Sequence, residues 1–339
     1  MTRLRTALWS LIKPRIVALL TLTGASGLVA TGGTTAGTLA AFAVSGAAMA
    51  AGAAALNCWY DRDIDPLMDR TADRALPAGA LEPTAALAFA LGLVAIGTVI
   101  ALATLPLVSV GYMWLGLLAY AGLYTVALKR RHWLGVVLGG SAGSFPVLAG
   151  WTVVEPVTSG AIALAALVFV WTPAHAWALA HVYRDDFAAA DIPTYPVVKG
   201  LAKNRSAVWV SALATVALTV GVVPVLDTTY VVAVAVASPL YLVAYWAYYR
   251  GGGEPEAVRA FFTSNLYLAV VFVAWALGGA LGDIGLLGYA IEATIIPFMF
   301  VKMWTARPAL HGVEGAVGGE WLPAVRWIEH EYRVHIGGP

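Results

Sequence analysis

The stretch Asn57-Cys58-Trp59-Tyr60-Asp61-Arg62-Asp63-Ile64-Asp65-Pro66-Leu67-Met68-Asp69-Arg70-Thr71-Ala72-Asp73-Arg74 closes the apolar run 37–58, and its reading decides the fold. Five carboxylates and three arginines follow directly on a segment that carries no charge. Asn57, Asp61 and Asp65 recur every fourth residue, so on a helix each step turns only about 40° and all three share one face. Oxygen donors at the end of a membrane helix, followed by arginines, suit a Mg²⁺-diphosphate site, because Mg²⁺ takes one or two carboxylates together with waters and substrate phosphates. Asp63 falls on the opposite side and reads as a partner for an arginine. Pro66 is expected to end the helix and leave Arg70 and Arg74 in a cap over the site.

Outward from that stretch the chain is built for lipid. Of 339 residues, 60% are hydrophobic and 12% charged, with a mean hydropathy of +0.79; a soluble domain carries roughly 25% charge. Apolar runs of about 20 residues predict helices rather than barrel strands. Segments are expected near 16–35, 37–58, 84–104, 106–128, 133–154, 159–181, 205–226, 229–249, 262–282 and 284–304, with glycine and proline at the breaks. The expectation is an all-α, polytopic membrane bundle of nine or ten transmembrane helices, in two pseudo-repeat halves around a central cavity. The tenth segment differs from the others in carrying Glu292 near its middle, where a buried carboxylate must face protein or water. The chain divides into residues 1–283, the transmembrane unit, and 284–339, an additional membrane helix with a C-terminal tail.

All 20 Lys and Arg fall in the N-terminal flank, in alternate connections or in the tail. That positive-inside pattern places the N-terminus and the acidic loops in the cytoplasm of a cell (inner) membrane protein. The N-terminal segment lacks a cleavage site and reads as a retained first span. A net charge of +1 gives no basis for nucleic-acid binding, and the single Cys58 excludes an intramolecular disulfide.

A second acidic loop, His181-Val-Tyr183-Arg184-Asp185-Asp186, continues through Asp191 and Pro193 to Lys199. Alternate connections share a membrane side, so Asp185 and Asp186 can face the same cavity as the first cluster. Lys199 can neutralise a diphosphate oxygen as a point charge. His175, in Trp171-Thr-Pro173-Ala-His175-Ala-Trp177, is an intramembrane histidine, which reads equally as a functional group or as one bonded to a neighbouring carbonyl. An ion transporter also lines its path with acids, but it would carry them near mid-membrane, where only Glu292 lies.

The text at 57–77, 171–180 and 183–200 resembles the UbiA superfamily of intramembrane prenyltransferases, and its Arg70-Thr-x-x-Arg74 and Ile192-Pro193 segments resemble the heme-prenylating branch. It departs from that branch at Ala75, Ala174, Ala176 and Tyr195, and Asp191 stands where glycine is usual. The resemblance implies a helical ring around a lipid-accessible cavity and transfer of a farnesyl group from farnesyl diphosphate to a vinyl group of heme b. It implies Mg²⁺ as cofactor, held by Asn57, Asp61 and Asp65 with Asp185 and Asp186. Arg70, Arg74 and Lys199 would stabilise the leaving diphosphate, with Asn57 also on the diphosphate side, and His175 is the candidate for contacting heme. The implied partners are the two substrates, membrane lipid, and a heme A synthase or oxidase-assembly protein. An aromatic or quinone-precursor acceptor is the alternative within the superfamily.

Overall fold

The computed structural model describes residues 2–222 and 227–305. The chain is helical, with no strand among the described residues. α1 (Thr2–Leu11) and α2 (Pro14–Val29) meet at 46°. The corner is Lys13, which adopts a left-handed φ of 47°, and Pro14 starts α2 where its missing N–H costs nothing. α3 (Ala36–Tyr60) and α4 (Pro83–Thr104) follow. α5 (Leu107–Leu117) continues in the same rod as π-helix from Leu118 to Leu128. α6 (Gly135–Gly139) and α7 (Ser141–Trp151) form a shorter rod with Pro146 inside it. α8 (Ser159–Val182), the short α9 (Arg184–Ala189) and α10 (Tyr195–Lys199), then α11 (Leu201–Val222), α12 (Thr228–Gly251), α13 (Glu254–Leu281) and α14 (Gly285–Thr305) complete the chain.

Eight of these are long and apolar enough to cross a membrane, and the bent α1–α2 pair makes a ninth. Gly135–Trp151 is too short to pass that test, and α2 passes it only together with α1. A bilayer core demands that every backbone N–H and C=O be paired within the helix, and the apolar exteriors supply the rest. Leu107, Leu286 and Leu287 stand outward, each at least 75% exposed, as lipid-facing residues do. Between helices, where lipid removes the hydrophobic incentive to associate, close backbone approach takes over. α2 and α7 touch so tightly that a Cβ on Gly150 would lie 1.8 Å from the Gly24 carbonyl oxygen.

α8, α11, α12 and α13 pack around a set of buried tyrosines, Tyr230, Tyr241, Tyr245, Tyr248 and Tyr267. α14 lies against α12 and α13 through Ile296 and Phe300, with Trp304 Nε1 donating to Thr263 Oγ1 at 3.1 Å. Glu292 sits half-buried midway along it. The helices line a cavity of about 450 Å³, with residues from α2, α3, α5, α6, α7, α8 and α13. The tail expected beyond α14 lies outside the described residues.

Candidate active site

The metal face read from four-residue spacing is only partly an α-helix. α3 ends at Tyr60, and Asp61–Asp63 and Asp65–Leu67 are two 3₁₀ turns, so Pro66 opens the second turn instead of ending α3. The tighter turns still bring Asn57, Asp61 and Asp65 inward, each at most 4% exposed, and leave Asp63 outside. Asp63 takes both arms of Arg130, at 2.6 and 2.7 Å.

Every inward oxygen has a cation or donor against it. Asn57 Nδ2 donates to Asp61 Oδ2 at 2.8 Å and to Thr125 Oγ1 at 3.1 Å. Lys13 Nζ reaches Asn57 Oδ1 at 2.5 Å, and Lys129 Nζ reaches Asp61 Oδ2 at 2.5 Å. Arg130 adds a longer contact to Asp61 Oδ1 at 3.4 Å. Arg74 holds Asp65 with both oxygens within 3.2 Å of one nitrogen. Thr71 Oγ1 donates to the Asp65 carbonyl at 2.8 Å and ties the cap to the 3₁₀ turn. Burial pushes the Lys129 ammonium below its ordinary range, against the pull of Asp61 that raises it. Burial likewise lowers Arg70, with the neighbouring Arg74 adding to the effect.

The two acidic loops meet, although not through all the residues expected. Asp186 accepts the backbone N–H groups of Asp69 at 3.2 Å and Arg70 at 3.3 Å. The Arg70 guanidinium lies over the Tyr183 and Phe187 rings at 5.2 and 5.0 Å. Asp185 is not brought in: its side chain is 99% exposed and, among the described residues, pairs only with Arg184 at 3.9 Å. Lys199 lies 6.0 Å over the Trp133 ring and forms no ion pair among the described residues. Asp191, in the position where a glycine is usual, has a left-handed φ of 52°, which Asp tolerates better than most side chains. Among the described residues no three His, Cys, Asp or Glu side chains converge as a ready-made metal cage. Oxygen donors of this kind nonetheless suit a hard cation that is completed by water and phosphate.

Lys13, Tyr120, Thr125, Lys129 and Arg130 are absent from the sequence-derived site. In the sequence Lys129-Arg130-Arg131 is a charged run that membrane topology alone accounts for. The π-helix of α5 is what aims this segment: Thr125 Oγ1 donates to the Tyr120 carbonyl five residues back at 2.9 Å and accepts from Asn57. Such i→i+5 stretches are rare and concentrate at functional sites. Tyr120 and Tyr124, stacked at 5.9 Å, line the cavity. Tyr120 Oη also accepts from Lys13 at 3.3 Å, so the apolar cavity and the charged cluster share a wall.

Deeper along α8, His175 lines the cavity, stacked between Trp171 at 4.2 Å and Phe261 at 4.4 Å, with Nδ1 2.6 Å from Ser264 Oγ. At the end of α8, buried His181 bonds Tyr248 Oη at 2.9 Å, and Asn204 donates to the same oxygen at 3.0 Å. That set anchors the helix end from which the second acidic loop departs.

A chain of this architecture has recognisable relatives. The family model described as the UbiA prenyltransferase family matches residues 17–266. The protoheme IX farnesyltransferase of Brucella anthropi is 38% identical, over 77% of this chain and 86% of its own length. That of Mycobacterium avium is 39% identical, over 80% and 91%. Among solved structures, a digeranylgeranylglyceryl phosphate synthase superposes with a TM-score of 0.67 at 16% identity, covering 83% of this chain and 99% of its own. A UbiA homolog from Archaeoglobus fulgidus bound to DMAPP and Mg²⁺ gives 0.61 at 18% identity, covering 80% and 99%. The structural likenesses show the fold, and the family match and the curated relatives show the rest: this integral membrane protein belongs to the UbiA prenyltransferase family.

Proposed function

We propose that the chain transfers a farnesyl group from farnesyl diphosphate to a vinyl group of protoheme IX (heme b), in a cell membrane with its acidic loops cytoplasmic. The observation that carries the reading is the shared wall at Tyr120, where an apolar cavity adjoins a buried cluster of three oxygen donors and several cations. A prenyl diphosphate has the same two halves, an apolar chain and a multiply charged head. The names of relatives 38–39% identical support heme as the acceptor.

Asn57, Asp61 and Asp65 offer hard oxygen donors that fit Mg²⁺, with Asp186 and Asp185 available from the second loop as the substrate head enters. Bound there, Mg²⁺ supplies neutralisation of the charge that develops on the departing diphosphate. Arg70, Arg74, Lys129 and Lys199 add fixed positive charge on the same side, the electrostatic contribution expected of such clamps. As the C1–O bond of the substrate breaks, the helices exclude bulk water from the allylic cation. The vinyl terminus forms the new C–C bond, and one water then adds and releases a proton. Residues 1–283 make up the transferring unit, with α14 packed on its outside.

The test is mass spectrometry of hemes from membranes given labelled farnesyl diphosphate and protoheme. The wild type should produce hydroxyethylfarnesyl heme with Mg²⁺, EDTA should abolish it, and Asp61→Ala and Asp65→Ala should each lose it. Near-normal product from both variants would overturn the mechanism. Label arriving on an added aromatic acceptor instead of heme would overturn the acceptor.

A further inference from the structure

One residue of α13 controls two residues of α8 at the cavity wall. Ser264 is fully buried; its backbone carbonyl accepts Trp171 Nε1–H at 3.1 Å, and its hydroxyl lies 2.6 Å from His175 Nδ1. The hydroxyl has a single proton, which it donates to the Phe261 carbonyl at 2.7 Å. With that proton on the carbonyl, the hydroxyl accepts from His175 and Nδ1 carries the imidazole proton. Nε2 is then the bare nitrogen, with its lone pair available. Trp171 and Phe261, stacked on the two faces of the ring, prevent it from turning over. A neutral imidazole with one N–H held by a fixed acceptor and the other nitrogen free is the arrangement that protein sites use to ligate a metal.

We propose that Ser264 fixes His175 in the Nδ1–H tautomer so that Nε2 serves as an axial ligand to the iron of the metalloporphyrin acceptor. The inference rests on the heme-farnesylating reading and deepens it. It assigns His175 to holding the acceptor by its metal centre, and Ser264 to positioning that ligand. Trp171 and Phe261 flank the ring, so a porphyrin would meet aromatic edges around the imidazole nitrogen, with Thr172 and Asn265 lining the same cavity. No bond of the acceptor is broken by this contact.

The experiment titrates the full chain in lipid nanodiscs with ferric protoporphyrin IX and follows the Soret band and the low-temperature EPR spectrum. The wild type should give a nitrogen-ligated spectrum, distinct from that of the porphyrin in protein-free nanodiscs. His175→Gln, which keeps the volume, should lose that signature, and added imidazole should restore it in His175→Gly. Ser264→Ala should keep the signature but weaken binding by about ten-fold or more, as loss of a histidine's supporting hydrogen bond does. Metal-free protoporphyrin IX should bind wild type and His175→Gln alike. Identical ferric spectra for wild type and both His175 variants would overturn the proposal. Heme farnesylation is assayed on the same samples. Product formed by a wild type without the ligated spectrum removes the ligand alone, whereas no farnesylated heme from the wild type removes the reading beneath it.

Discussion

Replacing Lys129 by Met is the sharpest perturbation of the charged cluster, because it removes one cation and little volume. Asp61 is completely buried and accepts Lys129 Nζ at 2.5 Å, with Asn57 at 2.8 Å and a longer Arg130 contact at 3.4 Å. Stripping one partner from a buried ion pair costs about 3–5 kcal/mol, most of it from the charge left behind. The two surviving contacts put the expected loss near the lower end, roughly 3 kcal/mol, which lowers the folding equilibrium on the order of a hundred-fold. The double variant Asp61→Asn/Lys129→Met removes the orphaned charge as well and should recover at least half of that loss. Both variants should lack prenyl transfer. Reversible unfolding of the nanodisc-extracted protein in SDS–detergent mixtures measures the stabilities, and the two single variants complete the cycle that isolates the coupling. If Lys129→Met is as stable as wild type, or the double variant is less stable than Lys129→Met, the buried-pair argument fails.

Three further outcomes follow from the same geometry. Asp63→Asn breaks an ion pair whose carboxylate is 61% exposed, so it should cost about 1 kcal/mol or less and leave transfer intact, which activity assays beside Asp61→Asn will separate. Asp186→Ala removes the acceptor of two backbone N–H groups and should loosen the first acidic loop, seen as faster hydrogen exchange at Asp69 and Arg70 together with reduced transfer. Gly150→Ala forces a methyl against the Gly24 carbonyl and should cut the yield of folded protein sharply. Gly92→Ala, with open space around the added methyl, should be neutral or stabilise by about 0.5–1 kcal/mol; equal yields for the two would refute the close-approach account.

The membrane helices were legible because lipid imposes one rule on every span, and nine of the ten expected apolar segments match either a helix that passes the crossing test alone or the bent α1–α2 pair. Local chemistry was legible too: Asn57, Asp61 and Asp65 point inward and Asp63 points out, although through 3₁₀ turns and not the assumed straight helix. The cations were not legible. Lys13 and Lys129 lie 44 and 68 residues from their partners, and helical periodicity carries no information about which rods become neighbours. A basic run at a membrane boundary has an adequate explanation in topology alone, which hid the second role of Lys129 and Arg130. Asp185 and Asp186 show the converse: adjacent and chemically identical in sequence, they diverge because one faces the first acidic loop and the other faces solvent.

The wide turns of α5 set a limit on how the chain can change in length. Because the span from Leu118 to Leu128 is wound with i→i+5 bonds, wider than an ordinary helix, it holds more residues than its height requires. Deleting a residue without relieving a wide turn would swing everything after it by about 100°. Lys129 and Arg130 would leave Asp61 while every side chain in the cluster kept its identity. A lineage could therefore exchange most lipid-facing residues of this rod freely, yet change their number only where a wide turn takes up the difference.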